Sequence, residues 1–168
     1  MKFTPPVILN EACPLTDLGI VLDDALQSTV RGWQALYQSV GKLPVWDMSF
    51  ALQHASVVSS SILYDLRGDE VYLTMIGDQC REYIGLQHSK GNLYDLIPKI
   101  NADDIHARLQ ACAQHKAPTY CYKNMSWNND KAHLKYEAIF LPFAERGSDA
   151  CAWCFVPKSF VIGDEAGL

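Results

Sequence analysis

The stretch ILYDLRGDEVYLTMIGDQCREYIGLQHSKGNLYDLIP, Ile62–Pro98, decides the fold. In Val71–Ile76 the residues Val71, Leu73 and Met75 alternate with Tyr72, Thr74 and Ile76, the period of a strand with one face inward. Arg67-Gly68-Asp69-Glu70 supplies a tight turn from a preceding strand, with Gly68 free to take a positive φ. Gly77 stops the second strand, Asp78 is placed to cap a short helix over Gln79–Ile84, and Gly85 ends it. A loop and a helix entry then close at Pro98. Two strands followed at once by short helical lids enclose a small space, the layout of a sensing or binding module.

Working outward, the clearest helix runs from Leu18 to Val40, capped by Thr16 or Asp17. Leu22, Leu26, Thr29, Trp33, Leu36 and Val40 recur at spacings of three and four and form one stripe. Gly41 suits the position after the helix, and Pro44 prevents its resumption. The stripe covers the domain's own sheet; the same spacing also suits a dimer seam through Leu22, Leu26, Trp33 and Leu36. Gly32 beside it permits close approach. Leu43–Ser61 is a mixed connector in which Asp47 or Ser49 caps a short helix bearing Phe50, Leu52 and Ala55.

Downstream, Asn101 or Asp103 starts a helix over Asp104–His115, with Ile105, Leu109 and Cys112 on one face and two carboxylates favouring its N-terminal dipole. The final third reads as sheet. Thr119–Trp127 is an aromatic-rich strand, Asn128-Asn129-Asp130 a turn, and Lys131–Phe143 its partner. There Leu134, Tyr136, Ala138 and Phe140 share one face, opposite Lys135, Glu137, Ile139 and Leu141. A last strand spans Ala150–Val156. The expected class is α+β: a five-stranded antiparallel sheet with short helices on one face and a long N-terminal helix.

Composition narrows the function. The 168 residues are 49% apolar and 20% charged, ordinary for a globular chain. Fourteen basic against nineteen acidic residues give a net charge of −5, without the clustered cations that a nucleic-acid surface needs. No apolar run reaches the length of a membrane span, and MKFTPPVILN lacks the pattern of a secretory signal, so a cytoplasmic location with reduced thiols is expected. Asn124-Met125-Ser126 is then a chance glycosylation match.

Cys151-Ala152-Trp153-Cys154 has the spacing of redox and zinc motifs. On a strand, residues three apart take opposite faces, which speaks for ordinary buried cysteines. His54, His88, His106, His115 and His133 show no ligand spacing; His88, in the loop after the short helix, is the best placed to touch a ligand or haem. Glycine-rich phosphate loops and nucleophile elbows are absent, so no catalytic residue is assigned. What remains is an aromatic-lined interior in which Leu73, Met75, Tyr83, Tyr94, Met125, Trp127 and Tyr136 converge, suited to a small organic molecule or simply filled.

Several loose motifs, in order, give the chain a family likeness. They are Arg31-Gly32-Trp33, the helix exit Gly41-Lys42-Leu43-Pro44, the strand Val71-Tyr72-Leu73-Thr74-Met75-Ile76-Gly77, Gly85, the entry Asn92-Leu93-Tyr94-Asp95-Leu96, and Tyr136-Glu137-Ala138-Ile139-Phe140-Leu141-Pro142-Phe143. Together they resemble a PAS domain of the divergent bacterial type that stands nearly alone. The resemblance implies a sheet cupped around short helices, an N-terminal helix that mediates dimers, and a non-catalytic role in sensing a ligand or contacting a signalling partner. No attached kinase, cyclase or helix-turn-helix output is expected, which implies a separate signalling partner. It implies the division into a leader (1–16), the N-terminal helix (17–41), a PAS-like domain (42–157) and a peripheral tail (158–168). Flavin-binding relatives place a reactive cysteine near the position of Cys80, but the surrounding Gln79-Cys80-Arg81-Glu82 only partly matches, so neither flavin nor haem is expected. A homodimer, with a small apolar ligand or a protein partner, is the expected assembly; the contrasting readings are a filled-core protein-interaction scaffold without ligand and, behind it, a small cone-shaped α+β enzyme.

Overall fold

The computed structural model describes residues 13–14, 23–84, 90–124, 135–145 and 148–156. The elements are β1 (Cys13–Pro14), α1 (Asp24–Val40), α2 (Met48–Gln53), α3 (Ala55–Val58), β2 (Ser61–Arg67), β3 (Glu70–Ile76), α4 (Asp78–Ile84), β4 (Gly91–Asn92), α5 (Leu93–Leu96), α6 (Lys99–His115), β5 (Thr119–Asn124), β6 (Lys135–Glu145) and β7 (Ser148–Val156). The strands form one sheet in the order β1-β5-β6-β7-β2-β3-β4, and every neighbouring pair is antiparallel.

The chain is α+β, but the expected five-stranded sheet with helices on one face is corrected on both counts. Among the described residues seven strands make the sheet, because β1 and β4 pair at its two edges. Strands of two residues carry no periodicity, so nothing in the sequence announces them. Helices cover both faces. On one, Leu26, Val30 and Trp33 of α1, Phe50 of α2 and Val57 of α3 pack on Tyr120, Tyr122, Ile139, Leu141 and Phe143. On the other, Cys80 of α4, Leu93 of α5, and Leu109 and Cys112 of α6 pack on Ile62, Tyr64, Leu73, Tyr136 and Phe140. A sheet buried on both sides reads as apolar on both parities, as Ala138-Ile139-Phe140-Leu141 does.

α1 begins six residues later than the apolar stripe suggests. Asp23 has extended backbone, and its carboxylate accepts from the Leu26 amide at 3.0 Å, which makes it the cap. Gly41 ends the helix at φ 73°, donating to the Tyr37 carbonyl. α6 likewise starts at Lys99, after Pro98, so Asp103 and Asp104 lie inside it and not at its start. It ends at Lys116, a non-glycine residue at φ 50°.

The β2–β3 hairpin turns at Gly68, φ 62°. Its pairing shifts between Leu63 and Tyr64: Leu63 faces Met75 whereas Tyr64 faces Leu73, so Thr74 is the extra residue of a bulge. The Thr74 hydroxyl donates to the Leu63 carbonyl at 3.0 Å and holds the distortion. A bulge reverses the alternation beyond it. Leu73 and Ile76 therefore enter the core under α4–α6, while Met75 lines a crevice on the α1 side.

Gly77 follows, and its role is steric. A Cβ there would overlap the Ser59 and Val58 carbonyls. The Ser59 carbonyl reaches past it to accept from the Gln79 and Cys80 amides at 3.0 and 3.3 Å. This distant carbonyl, and not the side chain of Asp78, satisfies the first amides of α4.

Candidate functional site

Of the residues expected to line an interior pocket, some are described and some are not. Leu73, Cys80 and Tyr136 lie together in the core between the sheet and α4–α6, each at most 2% exposed, and Tyr94 packs at its margin. Met75 leaves the group because of the bulge. Tyr83 falls on α4 with its side chain outside the described residues, as are His88, Met125, Trp127 and the interface candidate Leu22. The parity of β5 left open by the sequence resolves with Cys121 on this side and Tyr120 and Tyr122 on the α1 side.

The same core holds an arginine that sequence reasoning missed. Arg108 is 4% exposed, donates to Cys121 Sγ at 3.3 Å, and pairs with Asp104 at 3.1 Å. Burial opposes its charge, but Cys121, Tyr136 and Asp104 outweigh that and raise its pKa. Burial raises the Tyr136 pKa well above its ordinary value. Nearer the surface, the Tyr94 hydroxyl donates to Asp103 at 2.9 Å and lies 3.0 Å from His106 Nδ1. With its one proton directed at the carboxylate, the hydroxyl accepts from the ring nitrogen. Asp103 is held below the usual carboxylate range by Lys99 and then by Tyr94. This cluster ties α5 to α6.

The α1 side carries the more unusual group. Glu137, which alternation placed outward with Lys135, is 0% exposed beneath the start of α1. Its Oε1 accepts from the Asp23 amide at 2.9 Å and its Oε2 from the Tyr120 hydroxyl at 2.7 Å. Burial, then the Glu137 carboxylate, push the Tyr120 pKa far above the ordinary phenol value, so this hydroxyl remains a donor. Glu137 thus joins the middle of the sheet to the residue that caps α1. Midway along the helix, Trp33 donates from Nε1 to the Pro142 carbonyl at 2.8 Å. Between them, Gly32 admits the ring of His54, which a Cβ would overlap. His54 also packs against Phe50 with the rings tilted, centroids 4.6 Å apart, and Phe50 in turn clusters with Trp46 and Phe143.

Of the expected seam residues, Leu26 and Trp33 are buried against the chain's own sheet, and Leu36 packs partly against the same core. Exposed apolar side chains come after them, Tyr37 and Val40 in the last turn of α1, then Val45, Met48 and Leu52 at 61%, 66% and 74% exposure, with Ile100 on α6 at 79%. Met48 and Leu52, four apart on α2, share its outer side.

The crevice under α1 has a volume of about 10 Å³ and is lined by Thr29, Trp46, Phe50, His54, Val57 and Met75 among others. That is room for roughly one water and not for an organic ligand. Among the described residues no group of three His, Cys, Asp or Glu side chains is arranged to hold a metal ion. Cys151 and Cys154 occupy register positions of opposite parity on β7, opposite Pro142 and Ile139. No helix of the described residues is long and apolar enough to cross a membrane.

Compared by sequence, the chain matches no protein-family model and no curated protein.

Proposed function

We propose that this chain is a non-catalytic regulatory module of the PAS kind that works in the cytoplasm through protein contacts. α1 is its moving part, and a second copy of the chain is its first partner. The observation that carries the reading is Glu137. A joint with no polar group in it would hold a helix on a sheet at least as firmly, because enclosing a carboxylate costs several kcal/mol of hydration. A carboxylate between the Asp23 amide and the Tyr120 hydroxyl is satisfied in one position of α1 only. Such a joint makes the seat of the helix sensitive to the register and packing of β5 and β6. The exposed Tyr37 and Val40 lie in the last turn of that helix and Val45, Met48 and Leu52 follow it in the chain, where its displacement would be felt by a partner. The small-molecule version has less behind it, since Leu73, Cys80 and Tyr136 are packed among their neighbours.

Sedimentation of the full chain over a range of concentrations tests the assembly. The wild type self-associates, and Val40→Glu combined with Leu52→Glu leaves a folded monomer. A wild type that stays monomeric throughout refutes self-association. A stoichiometric small molecule retained in native mass spectrometry would turn the reading from partner to ligand.

A further inference from the structure

We propose that His54 is a proton-operated latch, which holds α1 against the α2–α3 corner while its ring is neutral and releases the helix when the ring is charged. This inference rests on α1 being the regulated element and names what regulates it. The geometry is specific. The ring lies between α2 and α3, packs at a tilt against Phe50 and presents Nε2 to the backbone of Gly32 on α1. Nε2 is buried and has no hydrogen-bond partner among the described residues. In the neutral ring that nitrogen can remain a bare lone pair against Gly32; the charged ring carries N–H on both nitrogens, and one of them then has no acceptor.

Among the described residues no charged group offsets this. The crevice residues Thr29, Trp46, Phe50, Val57 and Met75 are uncharged. The Thr29 hydroxyl donates to the Ala25 carbonyl, and that of Ser61 to the Val57 carbonyl. Of the charged groups on the elements around the ring, Asp24 and Arg31 on α1 are exposed. Asp47 is also exposed, and its carboxylate is engaged by Ser49 and the Phe50 amide. On β2, Asp65 pairs with Arg67; on β3, Glu70 accepts from Tyr72.

Burial accordingly holds the His54 pKa below the ordinary histidine value of 6.5. The docked form resists a proton that the released form accepts, so docking is undiminished above pH 6.5 and weakens as pH falls below it. The proton comes from solvent and no covalent bond changes. Below 6.5 the released fraction rises by up to about tenfold per pH unit until the docked ring itself charges.

An NMR titration of the full wild-type chain reads this directly. The His54 ring and the Gly32 amide are expected to titrate with one midpoint below 6.5, with amide exchange in α1 accelerating over the same range after correction for intrinsic rates. His54→Gln is expected to abolish that pH dependence of α1 exchange. A ring midpoint at or above 6.5, or a Gly32 amide and α1 exchange indifferent to the ring's titration, overturns the latch. None of these readouts involves self-association, so the latch can fail while the regulatory reading stands, and the reverse.

Discussion

Replacing Gly77 by alanine isolates the most demanding close approach in the fold. Gly77 does not have a positive φ, so an alanine there meets a steric problem and not a conformational one. The added Cβ overlaps the Ser59 and Val58 carbonyls, which are backbone and cannot turn aside. Relief requires the Ser59 segment to withdraw, and with it go the bonds from the Gln79 and Cys80 amides. Two such bonds contribute roughly 1 kcal/mol each, and the strain of overpacking adds about 1–3 kcal/mol. Reduced freedom of the unfolded chain returns about 0.4–1 kcal/mol. The expected net loss is about 3 kcal/mol, or about 6–12 °C in Tm for a chain of this size. Urea unfolding followed by circular dichroism should show a lower midpoint with an unchanged slope. A Tm within about 2 °C of wild type would refute the reasoning, because no rotamer change accommodates the methyl group.

Gly32→Ala should cost less, about 1 kcal/mol, because the obstacle is the His54 ring, the end of a side chain that can rotate; thermal unfolding beside Gly77→Ala checks the order. Lys116→Gly relieves a lysine at φ 50° and should stabilise by about 0.5–1 kcal/mol, seen as a Tm rise of about 1–4 °C. Leu109→Ala empties a fully buried site where α6 meets the sheet and should cost about 2–5 kcal/mol in urea unfolding.

The sequence carried part of this structure and withheld part for definite physical reasons. The stripe of α1 and the hairpin at Gly68 were legible because periodicity and turn chemistry are local. The start of α1 was not: Thr16, Asp17 and Asp23 are all competent caps, and tertiary anchoring of Asp23 by Glu137 selects one. Alternation placed Leu73 and Met75 on one face, and the bulge at Thr74 separated them. Glu137 read as a solvent-facing residue because a carboxylate beside Lys135 ordinarily is one, and only the helix above it makes it buried. Arg108 was hidden for a similar reason, being a cation next to Leu109 on a helix face that turns out to be inside. The cap of α4 had no sequence signature at all, since its acceptor is a backbone carbonyl on another segment.

Glu137→Leu, read by amide hydrogen exchange along the chain, tests most directly whether the buried carboxylate seats α1. Leucine leaves the Asp23 amide and the Tyr120 hydroxyl without that acceptor while keeping the site apolar and filled. Protection in α1 should fall by roughly tenfold or more, with the β2–β3 hairpin unaffected. Unchanged protection of α1, or equal loss in helix and hairpin, would contradict the account.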